Sequence, residues 1–173
     1  MPMSPHMASL RAKIGHDLLS ATAASVAVFD SDGRILLVRL ADMGTWGMPG
    51  GIIDPNELPA QAAVRECWEE TRLLIEPTRV IGVFGGPEFL IKYPNGDLTY
   101  YTTVVFEARK ISGVCTADGL ETLDVRYFTR EECEHVSMTA PHRLILDHSF
   151  RSTSETYFAP SEWKPLQAEG PQT

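Results

Sequence analysis

Apolar residues along this chain recur in two rhythms, one near every second position and one near every third or fourth, and the changes of rhythm mark out its elements. Leu10, Ile14, Leu18 and Leu19 fall at near-helical spacing within Ser9 to Leu19, predicting a short amphipathic helix after an unstructured start from Met1 to Met7. Ala24 to Phe29 and Ile35 to Leu40 are β-branched and apolar runs on either side of Asp30-Ser31-Asp32-Gly33, a turn composition, so the pattern predicts a β-hairpin. A calcium loop on those aspartates would need a glutamate eleven residues after Asp30, where Ala41 stands.

Asp42 to Pro59 is then a long Gly- and Pro-rich loop, and Ala60, Ala63, Val64 and Cys67 follow in i, i+3, i+4, i+7 order, predicting a helix from Ala60 to about Arg72. Arg79 to Phe84, Phe89 to Tyr93, Leu98 to Ala108 and Leu123 to Phe128 read as further strands, the middle pair joined by the turn Pro94-Asn95-Gly96-Asp97. His142 to His148 reads as a second helix, its two histidines on the helix surface. Ala159 to Thr173 offers only Trp163 and Leu166 as core residues and reads as a loosely held tail. The pattern thus gives one domain of strands and helices over residues 20–150, an N-terminal arm over 1–19 and a tail over 151–173, without internal repeats.

Composition narrows the classes. With 173 residues, 43% of them apolar, the chain can bury about 68–70% of its unfolded surface and needs no metal or disulfide to form a core. Fifteen Lys plus Arg against 23 Asp plus Glu leave a net charge of −8, which argues against a grip on polymeric nucleic acid and requires a cation wherever phosphates are handled. Cys67, Cys115 and Cys133 suit neither a disulfide framework nor a metal clip. Neither a secretory signal nor an apolar run of about 18 residues is visible, so a cytoplasmic protein is expected.

Candidate chemistry lies on the first long helix. Glu66, Glu69 and Glu70, at i, i+3 and i+4, share about 100° of arc, while the apolar set centres elsewhere on the helix. The same string fits a solvated helix face, since Glu is a good exposed helix former. Like charges so placed repel by roughly 0.2–0.5 kcal/mol per pair unless a cation is present, and oxygen ligands at this density suit Mg²⁺ or Mn²⁺. Upstream, Met48-Pro49-Gly50-Gly51 permits close approach of backbone to ligand, and Glu57 and Arg65 are spaced to pair across the loop and helix.

The run from Gly51 through Glu57 to Arg65-Glu66-Cys67-Trp68-Glu69-Glu70-Thr71-Arg72-Leu73 resembles the Nudix box, Gly-x5-Glu-x7-Arg-Glu-U-x-Glu-Glu-x-Gly-U, with U an apolar residue. Six fixed positions agree over 23 residues, and the departure is Arg72, where the family has Gly. That Gly normally ends the helix in a left-handed conformation, so another residue there costs about 1 kcal/mol or lets the helix run on. Trp46-Gly47-Met48-Pro49-Gly50-Gly51 is similar to the family's entry to the box, Tyr93 to Asp97 to a turn of MutT-like members, and Glu121 through Phe128 to a later segment.

The resemblance implies an α/β fold with a mixed sheet, an α/β/α sandwich with a loop-helix-loop metal site, and water attack on the pyrophosphate of a nucleoside diphosphate linked to a group X. It implies Mg²⁺ (or Mn²⁺) held by Glu66, Glu69, Glu70 and the Gly50 carbonyl, Arg65 oriented by Glu57, and a general base that varies between members, here Glu66 ahead of Glu121. For the substrate, a nucleobase would want an aromatic face, for which Phe84, Phe89, Tyr93, Tyr100 and Tyr101 are available, and Arg39 could meet a phosphate. Nucleoside triphosphates, oxidised ones included, compete with molecules such as ADP-ribose as the small-molecule partner. The alternative is a nucleotide sensor that does not hydrolyse; a ligand-free acidic domain would make the 23-residue match an accident. No membrane partner is expected, and the N-terminal arm leaves room for a homodimer.

Overall fold

The computed structural model describes residues 4–151 and 153–164. Its first element is α1 (Pro5–Ile14), which starts earlier than the apolar spacing suggested. Ser4 caps it, its Oγ accepting from the Met7 N–H at 3.3 Å, Pro5 occupies the first turn, and Gly15 at φ 60° stops it. Met7 and Arg11 are its buried residues, rather than Leu10 and Ile14.

β1 (Leu19–Val28) and β2 (Ile35–Leu40) do not form the expected hairpin. The Asp30 turn is there, with Asp30 Oδ1 accepting from the backbone of Asp32 and Arg34 at 3.0 and 2.9 Å, but a single bridge, Phe29 to Ile35, joins the two runs. The strands then part because both edges of β1 are taken. One pairs antiparallel with β4 (Gly50–Ile52) and the other pairs parallel with β7 (Leu98–Gly113) over ten residues. β2 instead joins a three-stranded sheet between β3 (Trp46–Gly47) and β8 (Thr122–Phe128).

β5 (Leu73–Phe84) and β6 (Leu90–Lys92) lie end to end along the other edge of β7, and β9 (Tyr157–Phe158) adds to β5 in parallel, giving the larger sheet six strands. The β6–β7 hairpin closes where its turn residues predict, the Tyr93 N–H donating to the Asp97 carbonyl at 2.9 Å. Period-two alternation sends Ala24, Val26 and Val28 of β1 to one face and Ala27 to the other. The first face packs on Ala62, Ala63 and Cys67 of α2 (Pro59–Thr71); the second joins a core with Trp46, Phe128 and Ile145 of α4 (Ala140–Ser149). The result is a mixed α/β sandwich with a separate core on each side of the larger sheet.

α3 (Arg130–Glu134) was not foreseen, although Thr129-Arg130-Glu131-Glu132 carries a capping box: Thr129 Oγ accepts from the Glu132 N–H at 3.2 Å and the Glu132 carboxylate from the Thr129 N–H at 2.7 Å. Of the expected tail, Tyr157 stacks on His148 with ring centroids 3.7 Å apart, and Trp163 is exposed. His148 is accordingly buried, not a surface residue. Residues 1–3, 152 and 165–173, Leu166 among them, lie outside the described residues.

Candidate active site

α2 begins with Pro59, and its backbone ends at Thr71 with Arg72 at φ 60° and ψ 21°, so the left-handed stop is made without glycine and the helix does not run on. Between those ends the helix is buried on two faces. Ala62, Ala63 and Cys67 meet the sheet, while Glu66 and Glu70 turn under β4 and are only 5% and 1% exposed. Trp68, between them in sequence, faces solvent.

Two glycines make that burial of acids sterically feasible. A Cβ on Gly51 would collide with the Glu66 carboxylate, and one on Gly50 would sit 2.5 Å from the Ala24 carbonyl of the neighbouring strand. The Gly50 N–H donates to Glu70 Oε2 at 3.0 Å. Arg65 holds the next layer: its Nε and Nη2 donate to the two oxygens of Glu57 at 2.8 and 2.9 Å, Nη1 to Glu66 at 2.7 Å and Glu69 at 3.1 Å, and Nη2 to the Ile52 carbonyl at 3.1 Å. Glu57 in turn accepts from the Asp54 N–H at 3.1 Å, which ties the loop to the helix.

The electrostatics follow from this packing. The Arg65 guanidinium holds Glu57 below its ordinary carboxylate range and is itself pushed up. Burial pushes Glu66 up to about 7 despite Arg65, with Glu69 and Glu121 adding like charge. Burial, then repulsion from Glu66, carries Glu70 well above the ordinary value, and burial raises Glu121. Two carboxylates out of water and repelling each other are costly without a cation.

Among the described residues, no three His, Cys, Asp or Glu side chains are already gathered to grip an ion together; Arg65 stands among Glu57, Glu66 and Glu69 instead. The donor set nevertheless fits a hard divalent cation. Its atoms are all oxygens, and Glu70 has one hydrogen bond where an ionised carboxylate can accept several.

Two cavities flank these acids. On one side Glu70, Gly50, Gly51 and Glu121 border an apolar pocket whose walls include Met48, Phe89, Tyr93, Tyr101 and Ile145. The Tyr93 and Tyr101 hydroxyls hydrogen-bond to each other at 2.7 Å. On the other side Glu66, Glu69, Arg65 and Glu121 border a polar cavity that Asp118, Arg72 and the start of α1 complete. Met7 of α1 lines this cavity, and Ser4 donates to Asp54 Oδ1 at 2.6 Å, locking the arm onto the loop.

The structure brings together Glu57, Arg65, Glu66, Glu69, Glu70, Gly50, Glu121 and Tyr93. It does not bring two of the expected substrate contacts. Arg39 lies exposed on β2, opposite Asp124 of β8, and borders neither cavity. Phe84 is core, 1% exposed and packed among Phe89, His148 and Tyr157. Tyr100 is used structurally, its hydroxyl accepting from the Gly86 N–H at 2.9 Å. His142, expected on the helix surface, instead borders the apolar pocket; its Nδ1 is buried against Gly47 without a partner, and burial pushes its pKa down to about 4. Neither His142 nor the α1 wall carries a local sequence signal, since both are assembled by tertiary contact.

Comparison with known proteins adds the family. A model described as the NUDIX domain matches residues 19–149. A MutT-like protein of Streptomyces ambofaciens is 43% identical over 67 residues, which are 39% of this chain and 43% of that one. A putative 8-oxo-dGTP diphosphatase of Bacillus subtilis is 33% identical over 104 residues, 60% of this chain and 63% of the relative, so the chain spans less than two thirds of both relatives. The crystal structure of an ADP-ribose pyrophosphatase from Streptococcus suis aligns with a TM-score of 0.59 at 24% identity, over 79% of this chain and 96% of that one, a likeness of fold.

Proposed function

The chain belongs to the Nudix family, and on that premise we propose that it hydrolyses the pyrophosphate bond of a nucleoside diphosphate linked to a further group X, with Mg²⁺ or Mn²⁺ as cofactor. The observation that carries this reading is the pair of buried, mutually repelling carboxylates, Glu66 and Glu70, under the Gly50-Gly51 strand. Glu66, Glu69, Glu70 and the Gly50 carbonyl would hold the metal. When bound, it supplies the positive charge that two adjacent phosphates require beside a chain of net charge −8, and it acidifies water.

The rest of the work falls to the chain. Arg65, held at both ends of its guanidinium by Glu57, positions Glu66 and Glu69 rather than contacting phosphate. Glu121 is the better placed proton acceptor, because it borders both cavities and lacks a side-chain hydrogen bond to the described residues, whereas Glu66 is engaged by Arg65. The apolar pocket receives the nucleoside, with Tyr93 in its wall. Both a putative 8-oxo-dGTP diphosphatase and an ADP-ribose pyrophosphatase occur among the relatives similar in sequence, which supports a small nucleotide as substrate and leaves two classes of X.

The test is release of phosphate, pyrophosphate or nucleoside monophosphate from a panel of nucleoside triphosphates, ADP-ribose and nucleotide sugars with Mg²⁺ or Mn²⁺. Turnover that collapses in Glu66→Gln, and that loses its acidic pH limb in Glu121→Gln, is the expected result. Metal-dependent nucleotide binding without turnover would point instead to a sensor built on the same fold.

A further inference from the structure

The one departure from the motif has been kept at a conformational cost. Among the described residues only Asn56 and Arg72 have positive φ without being glycine, and asparagine tolerates that region whereas arginine gains nothing from it locally. A residue held in a sparsely populated conformation where glycine would relax it calls for a reason in its side chain.

Its side chain lies at the polar cavity with Glu66, Glu69 and Arg65. The guanidinium is exposed, its one hydrogen bond to the described residues is a long 3.5 Å contact from Nη1 to the Trp68 carbonyl, and it makes no ion pair with them. Asp118 feels its charge but is not within ion-pair contact, and Asp118 Oδ1 already accepts from the N–H groups of Leu120, Glu121 and Thr122 at 2.9 to 3.0 Å. Arg65, the other cation on this cavity, is spent on Glu57, Glu66, Glu69 and the Ile52 carbonyl. Among the described residues, Arg72 is therefore the cation lining this cavity with donors to spare.

The two cavities then define a direction. A nucleoside in the apolar pocket places its pyrophosphate at the carboxylates and its X group in the polar cavity, toward Arg72. We propose that Arg72 binds an anionic X, so that the preferred substrate is one whose X is itself a phosphate, a nucleoside triphosphate, rather than one whose X is an uncharged sugar. A guanidinium presents paired donors that match phosphate oxygens, and this one needs no release from a protein partner to do so. The inference rests on the hydrolase reading above.

Arg72→Gly restores the family residue, removes the strained conformation and so keeps the fold. Its thermal midpoint rises by about 2–4 °C. Its kcat/KM for a nucleoside triphosphate, relative to that for ADP-ribose, falls about tenfold, through KM rather than kcat, and Arg72→Lys recovers part of the loss. Inorganic tripolyphosphate, titrated calorimetrically with Mg²⁺ present, binds about tenfold more weakly to Arg72→Gly than to the wild type. An unchanged preference and unchanged tripolyphosphate affinity, or a fall in thermal midpoint showing that Arg72 serves only to cap α2 through Trp68, would overturn the proposal. If the wild type turns over nothing, the hydrolase reading fails while the tripolyphosphate titration still decides the role of Arg72.

Discussion

The two ends of the cleft are built on opposite principles. The carboxylate end comes mainly from one stretch of chain, β4 through α2, with Glu121 brought in from just before β8, and it gathers acids that lower stability: Glu66 and Glu70 are desolvated and repel each other. The apolar end draws on β1, β7, α4 and the turn before β6, and it is ordinary core that stops short of closing. On the proposed function, chemistry falls mainly to a local motif and recognition to the whole fold, so the two should respond differently to substitution.

Glu70→Gln is the sharpest probe. It removes a proposed metal ligand and a buried, repelled carboxyl group together while leaving an oxygen for the Gly50 N–H. Turnover should fall about a thousandfold, and the metal-free thermal midpoint should rise by about 2–4 °C. A falling midpoint in a melting scan would show that the acids are not strained. Gly51→Ala is next: its Cβ pushes on the Glu66 carboxylate, and a displacement of that size costs about a hundredfold in kcat with little change in KM.

The apolar end responds to pH through stability. His142 is neutral in the folded protein, with its pKa lowered from 6.5 to about 4 by burial, so its stabilising contribution is complete above pH 6.5 and is lost as pH falls toward 4. The loss is about 2–3 kcal/mol, measurable by urea unfolding at pH 7.5 and pH 4, and His142→Gln should flatten that part of the profile. Smallest is Tyr93→Ala, which should raise KM for a nucleotide about tenfold with little change in kcat. Equal effects on a substrate lacking the base would break the division of labour between the two ends.

The same division explains what the sequence discloses. Glu66, Glu69 and Glu70 are legible because helical periodicity alone puts them together, and the Glu57 to Arg65 pair because one loop and one helix suffice to form it. Their burial was not legible: α2 is covered on the acid face as well as the apolar face, which depends on where β4 crosses it. Arg39 and Phe84 lie away from both cavities for a related reason. Each has the chemistry of a substrate contact, but β2 left β1 for the smaller sheet and took Arg39 with it, while Phe84 points into the core between β9 and α4. β7 extends past the run read from periodicity because Arg109 to Gly113 are exposed and hydrogen-bond without alternating, whereas the added start of β5 does alternate, sending Leu73 and Ile75 into the core directly after α2.

The arm preceding the family domain has a practical meaning for protein engineering. Arg11 is buried and donates to the carbonyls of Gly15, Asp17 and Leu98 and to Thr99 Oγ, with Asp97 beside it, so α1 is fastened to the β6–β7 hairpin as firmly as its far end is to Asp54. The matched domain begins at residue 19, yet one wall of the cavity beside Glu66 and Glu69 lies before it. Trimming at the family boundary would open that cavity beside Glu66 and Glu69, and a bulky fusion at the amino end would crowd it. The seam that homology draws through this protein is not the seam along which its function divides.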